Sequence, residues 1–404
     1  MSQKPRNPAH DLRGAARLVV EATTNVTEVV EAMHTTIAAG PSVLGQPLEA
    51  PARAVNALVY GSIRGVTRLV GKGIDLALAQ LEPLLGASSP STERAAVVAA
   101  LNGVLGDHLA ETGNPLAVDM RLCREGQPLS LDAASLQSAM PGAGRKLLVL
   151  LHGLCMNDRL WARKGHDHGE ALAKDLGFTP VYLHYNTGLH ISVNGRAFDA
   201  IMQALVDAWP EPIDELVLLG HSMGGLVARS ACHYGEARPE GSWRSKVTRL
   251  VCLGTPHHGA PLERGGNVLE VLAGVSRYSA PLARLGKLRS AGITDLRHGS
   301  YLDAHWAGRD RFEPAGDTRK GAALPEGVAC YAVAGTLSPE GTATPGLDGM
   351  VPVASALGRH DNPRFDLGFH DDHTKIAYGT GHIDLLGAAE VYRTIAGWLA
   401  EPAS

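Results

Sequence analysis

Three side chains set far apart in the chain have the types that nucleophilic catalysis needs, in the order expected of a doubly wound α/β architecture: Ser222, then Asp348, then His382. A serine is a weak nucleophile until a base takes its proton, and that base needs a carboxylate to orient it. Ser222 stands in Gly220-His221-Ser222-Met223-Gly224, after the apolar run Leu216 to Leu219 and before Gly225-Leu226-Val227-Ala228. The G-x-S-x-G spacing predicts a strand that turns sharply into a helix with the serine at the apex. Its flanking positions lack side chains so that strand and helix can approach. The amide of Met223 then lies at a helix N-terminus, where it can hold developing negative charge. A second amide donor is expected at Leu154, which follows His152-Gly153 at the end of another apolar run.

The other two roles are assigned by place in the chain. Asp348 lies in the loop after an expected strand beyond the nucleophile strand, and Asp348-Gly349 also reads as an ordinary turn. His382 lies in Gly379-Thr380-Gly381-His382, just before the last helix, and its rivals as the base are His257, His258, His370 and His373. Asp384 is expected to cap the terminal helix. The His152 side chain reads as a turn histidine bonded to backbone. Cys155 is a rival nucleophile without a recognisable cysteine-enzyme context. Two His/Asp clusters, His166-Asp167-His168 and His370-Asp371-Asp372-His373, have donor types that could ligate zinc, but no HExxH or paired-cysteine pattern accompanies them. They read as surface loops, and no metal is expected.

These residues need strand ends to hold them. Lys146 to Leu151, Pro180 to Tyr185, Glu215 to Leu219, Val247 to Leu253 and Val328 to Ala334 are short apolar runs suited to strands buried on both faces. Pro115 to Leu131 reads as a strand, a turn at Arg124-Glu125-Gly126-Gln127 and a second strand. Ala197 to Trp209 reads as a helix. Strands alternating with helical segments imply an α/β fold with a mostly parallel, doubly wound sheet over residues 112–404. Residues 261–324 exceed an ordinary connection and read as a cap over the site, with short helices at Val268 to Val275 and Ala280 to Leu288. Asp295 to Ser300 is expected to hold that cap in place.

Residues 1–111 form a helical N-terminal appendage. Apolar stripes at helical spacing run from Leu12 to Ile37 and from Val55 to Leu84, and Ser91 is placed to cap a third helix through Leu109. Arg64, Arg68 and Lys72 give the second stretch a basic face. The stretches read as a packed hairpin, with self-association or peripheral membrane contact as the other uses.

The 404 residues are 45% hydrophobic and 19% charged, which fits a globular chain. A net charge of −4 argues against nucleic acid as a partner. The five cysteines are scattered and lack a CxxC pair, so they read as buried thiols in a reducing compartment. Met1 to Arg17 lacks an apolar signal core and no stretch is long and apolar enough to span a bilayer, so a cytoplasmic location, or one peripheral to a membrane, is expected.

Residues 146–400 resemble the α/β-hydrolase superfamily, and within it the lipase and GPI inositol-deacylase-like branch. The resemblance rests on His152-Gly153-Leu154, Gly220 to Gly225, Leu253-Gly254-Thr255-Pro256-His257-His258-Gly259, Asp348 to Pro352 and Gly381-His382, in that order. It implies that Ser222 attacks the carbonyl of a small-molecule or lipid ester, His382 relays the proton and Asp348 orients His382. It implies an acyl-enzyme cleaved by water, and no organic cofactor. An acyltransferase or thioesterase using the same triad is the nearest alternative. A non-catalytic interaction protein working through the N-terminal helices is the more distant one.

Overall fold

The computed structural model describes residues 92–239, 241–260, 290–308, 317, 319 and 323–401. The apolar stripes of residues 12–85 and the helices expected at 268–288 lie outside these. Eight strands form one sheet: β1 (Arg121–Arg124), β2 (Gln127–Pro128), β3 (Lys146–Leu151), β4 (Thr179–His184), β5 (Glu215–His221), β6 (Val247–Leu253), β7 (Ala329–Thr336) and β8 (Thr374–Tyr378). Their order is β2-β1-β4-β3-β5-β6-β7-β8. The pairs from β4 to β8 are parallel, while β1 runs antiparallel to both β2 and β4. The β1–β2 turn places Glu125 and Gly126 at φ of 52° and 71°, as a tight two-residue hairpin turn requires.

Alternate residues of the central strands feed two separate cores. Leu147, Val149, Leu151, Leu216 and Leu218 pack on one face, against helices α1 (Thr92–Glu111), α4 (Ile191–Ala208) and α5 (Met223–Gly235). Leu148, Leu150, Val217, Leu219, Val251 and Leu253 pack on the other, against α3 (His168–Leu176) and α8 (Ala389–Ala400). Period-2 alternation into two cores is the signature of a sheet covered on both sides. Each fully buried leucine or valine contributes about 1.5–3 kcal/mol. Among the described residues there are also three short helices: α2 (Ala133–Ala139), α6 (Ala291–Asp295) and α7 (Val353–Ala356). This is the α/β-hydrolase fold that the motifs imply.

Several elements differ from the sequence reading. Helix α1, assigned there to the appendage, buries Val97, Leu101, Val104, Leu105 and Leu109 in the same core as the sheet. Helix α4 starts at Ile191, six residues before the expected Ala197, because the Ile191 amide donates to the Asp295 carboxylate at 2.8 Å. That cap is supplied from a distant segment, so no local signal announces it. Asp295 also meets Nδ1 of His190 at 3.1 Å, and Ser290 donates to the Gly103 carbonyl of α1 at 2.6 Å. The 290–300 segment is therefore fastened to two helices of the main body. Asp384 does not cap α8, whose N-cap position is Ala388 with no side-chain bond. Its carboxylate instead takes Arg163 and Lys164 at 3.2 and 3.0 Å. Strand β8 and helix α3 were not expected at all. Among the described residues no helix is long and apolar enough to cross a membrane.

Candidate active site

The turn from β5 into α5 forms the elbow. Ser222 has φ 54° and ψ −124°, a region sparsely used by residues other than glycine and costing about 1–3 kcal/mol. Packing around it fixes the turn: the Ser222 amide donates to the Leu253 carbonyl of β6 at 2.8 Å. Gly224 shows why a side chain is excluded from the flank, since a Cβ there would lie 2.1 Å from the Leu151 carbonyl oxygen. The first turn of α5 thus sits directly on the end of β3.

His382 lies in the loop between β8 and α8. Its Nδ1 is 2.7 Å from Oδ2 of Asp348, and both residues are buried. The carboxylate can only accept, so Nδ1–H donates, and in the neutral ring of this tautomer the lone pair is on Nε2. The other oxygen of Asp348 accepts the amides of Met350 and Val351 at 2.9 and 2.7 Å. The His382 amide donates to the Asp348 carbonyl at 2.9 Å, which ties the two loops through backbone as well. Gly254 (φ 56°) backs the ring: a Cβ at this position would lie 3.1 Å from Cε1 of His382. This gives the glycine of the Gly-Thr-Pro segment a positional role.

Ser222 and His382 line one small pocket with Gly153, Leu154, Met156, His221, Pro256, Ala260, Leu296, Met350, Val351 and Ile383. Its wall is mostly apolar. The amides of Leu154 and Met223 donate to no acceptor among the described residues. Met223 opens the 13-residue helix α5, whose N-terminal dipole favours negative charge.

The rival residues are placed elsewhere. His257 is buried with Nδ1 facing the Arg229 guanidinium at 3.1 Å, and burial, with Arg229 beside it, holds its pKa far below the usual histidine value. His258 packs edge-on to His360 at 5.0 Å. His370 is exposed and pairs loosely with Asp372 at 3.7 Å, and His373 lies against Tyr331. None of the four lines the pocket. Cys155 is wholly buried, and burial raises its thiol pKa far out of the nucleophilic range. All five cysteines are free and buried. Of the first His/Asp cluster, Asp167 caps α3 by accepting from Gly169 and Glu170. His166 and His168 bond each other at 2.8 Å, and His168 Nε2–H donates to the Leu385 carbonyl at 2.9 Å.

One residue of the site escaped sequence reasoning. His221 donates from Nε2 to the carbonyl of His382 at 3.0 Å, with the rings 4.8 Å apart. Burial keeps it neutral, its pKa well below the ordinary value. Its position next to Ser222 was the only available signal, and the partner lies 161 residues away.

Known proteins match parts of the chain. A family model described as the PGAP1-like alpha/beta domain matches residues 189–317, which include Ser222 and end before Asp348 and His382. A GPI inositol-deacylase of Debaryomyces hansenii is 33% identical over 67 residues, covering 17% of this chain and 6% of that protein. The chain therefore spans only a small part of that relative's length. Among solved structures, the mature lipase BlEst2 of Bacillus licheniformis aligns with TM-score 0.41 at 17% identity, over 63% of this chain and 92% of that one. The Pyrococcus furiosus esterase Pf2001 aligns with TM-score 0.38 at 13% identity, over 65% and 85%.

Proposed function

We propose that the chain is a serine hydrolase of carboxylic esters, acyl or lipid, working through an acyl-enzyme. The observation that carries this reading is one pocket in which Ser222, at a strained elbow, is joined by His382, itself bonded to buried Asp348. His382 Nε2 takes the hydroxyl proton as Ser222 Oγ bonds to the ester carbonyl carbon. The carbonyl oxygen becomes an oxyanion held by the amides of Leu154 and Met223. Preorganised donors of this kind contribute about 2.7–4 kcal/mol each to the transition state. Collapse breaks the ester C–O bond, and the imidazolium returns its proton to the departing alcohol. Water then repeats the sequence on the acyl-serine, releasing the carboxylic acid. Asp348 stabilises the imidazolium without itself taking the proton. Leu154, Met156, Pro256, Met350, Val351 and Ile383 give the acyl group apolar surroundings.

The test is hydrolysis of p-nitrophenyl esters from acetyl to palmitoyl, with an acylated inositol added because of the deacylase similarity. Turnover by the wild type and none by Ser222→Ala is expected. Turnover that survives Ser222→Ala contradicts the reading.

A further inference from the structure

The Leu154 amide, one of the two oxyanion donors, belongs to the Gly153–Leu154 peptide. In a trans peptide the carbonyl and the N–H point in opposite directions, so whatever fixes the carbonyl also aims the N–H. No cis peptide bond occurs among the described residues. The Gly153 carbonyl lies 3.0 Å from Nδ1 of His152, and it also accepts the Met156 amide at a longer 3.3 Å. The carbonyl can only accept, so the His152 tautomer carries its proton on Nδ1.

We propose that His152 is a positioning residue for catalysis: its Nδ1–H holds the Gly153 carbonyl and thereby points the Leu154 amide into the pocket. Its ring is itself held in place. Tyr185 stacks on it at 4.5 Å with an interplanar angle of 24°, and the Tyr185 hydroxyl donates to the His152 carbonyl at 2.7 Å. His152 is fully buried, and burial lowers its pKa to about 3. The ring therefore stays neutral through the neutral range, and the bond to the Gly153 carbonyl selects the Nδ1–H tautomer. The side chain is not itself poised to react, because the pocket is lined by Gly153 and Leu154 and not by His152. Its Nε2 has no partner among the described residues. The arrangement trades one unsatisfied ring nitrogen for a fixed peptide plane.

The proposal rests on the ester-hydrolase reading, and its test separates the two. Two substitutions split donor from packing. His152→Asn keeps an N–H at the reach of Nδ1 but loses the stack on Tyr185. His152→Phe keeps a stacking ring but loses the donor. With p-nitrophenyl butyrate and the full chain, His152→Phe is expected to lose about tenfold to a hundredfold in kcat with KM nearly unchanged, part of the cost of deleting a donor outright. His152→Asn is expected to retain most of the wild-type kcat even where its thermal midpoint falls. Full kcat in His152→Phe overturns the proposal. So does loss of kcat in His152→Asn as large as in His152→Ala, a comparison that holds even if His152→Phe fails to fold. Wild-type turnover abolished by Ser222→Ala, together with either of these results, removes the positioning role and leaves the ester-hydrolase reading standing. Absence of turnover in the wild type removes both.

Discussion

The proposed nucleophile and its proposed base are held by two different kinds of structure. Ser222 is held locally: the end of β5, the turn and the start of α5 are contiguous, and a side chain at Gly224 would strike the β3 backbone. His382 is held from a distance. Asp348 is 34 residues away, His221 is 161 away, and Gly254 on a third segment leaves the space that the ring occupies. A local device writes its requirements into a few adjacent residues. A distributed one spreads them over the whole domain, where each residue taken alone looks ordinary.

The largest expected effects lie where the two devices meet. Ser222→Ala should lower kcat for a p-nitrophenyl ester by about 10⁶-fold, with the thermal midpoint nearly unchanged because the substitution keeps the backbone geometry. Asp348→Asn should follow at about 10⁴-fold in kcat. Its amide can donate to Nδ1, turning the His382 ring to the tautomer that has no lone pair on Nε2, so KM should move far less than kcat. A variant equal to wild type in kcat would mean that the distributed device is not catalytic.

Gly224→Ala probes the local device. With 2.1 Å between the added Cβ and a backbone oxygen, no flexible side chain can yield. Destabilisation of about 1–3 kcal/mol is expected in a denaturant titration, with activity lost alongside. The acid response comes next. Burial lowers the pKa of His152 to about 3 and of His168 to about 4, while the unfolded chain titrates near 6.5. Below about pH 6.5 the unfolded state binds protons that the folded state refuses, so this stability is present above that pH and is lost progressively as pH falls towards the folded values. Calorimetry from pH 7 to pH 4 should show a falling midpoint, and His152→Asn should flatten part of the slope. The smallest effect is expected at the far ends of β3 and β5, where Arg145 and Asp214 form an exposed ion pair at 2.5 Å. Arg145→Ala should leave kcat unchanged and the midpoint within about a degree, because solvent and salt screen such pairs.

The same contrast explains what could be read from the sequence. The central strands and the elbow were legible because apolar runs and glycine spacing are local patterns. Asp348 and His382 were legible as candidates by their order after Ser222, though the 2.7 Å contact that joins them was not. His221 carried no signal beyond adjacency to Ser222, and His152 was legible only as a turn histidine bonded to backbone, since both bonds fall on backbone carbonyls, which every residue has. The early start of α4 depends on Asp295, 104 residues from the amide it caps. Strand β8 was missed because Thr374 to Tyr378 is a half-buried edge strand with little hydrophobic alternation. For His221 and α4 the missing information lay in a partner that only the folded chain brings near.

The most direct measurement is mass-spectrometric mapping of a fluorophosphonate adduct on the full chain. An adduct on Ser222 is expected, forming far more slowly in His382→Ala and absent from Ser222→Ala. An unlabelled wild type, or an adduct on another residue with Ser222 untouched, would contradict it.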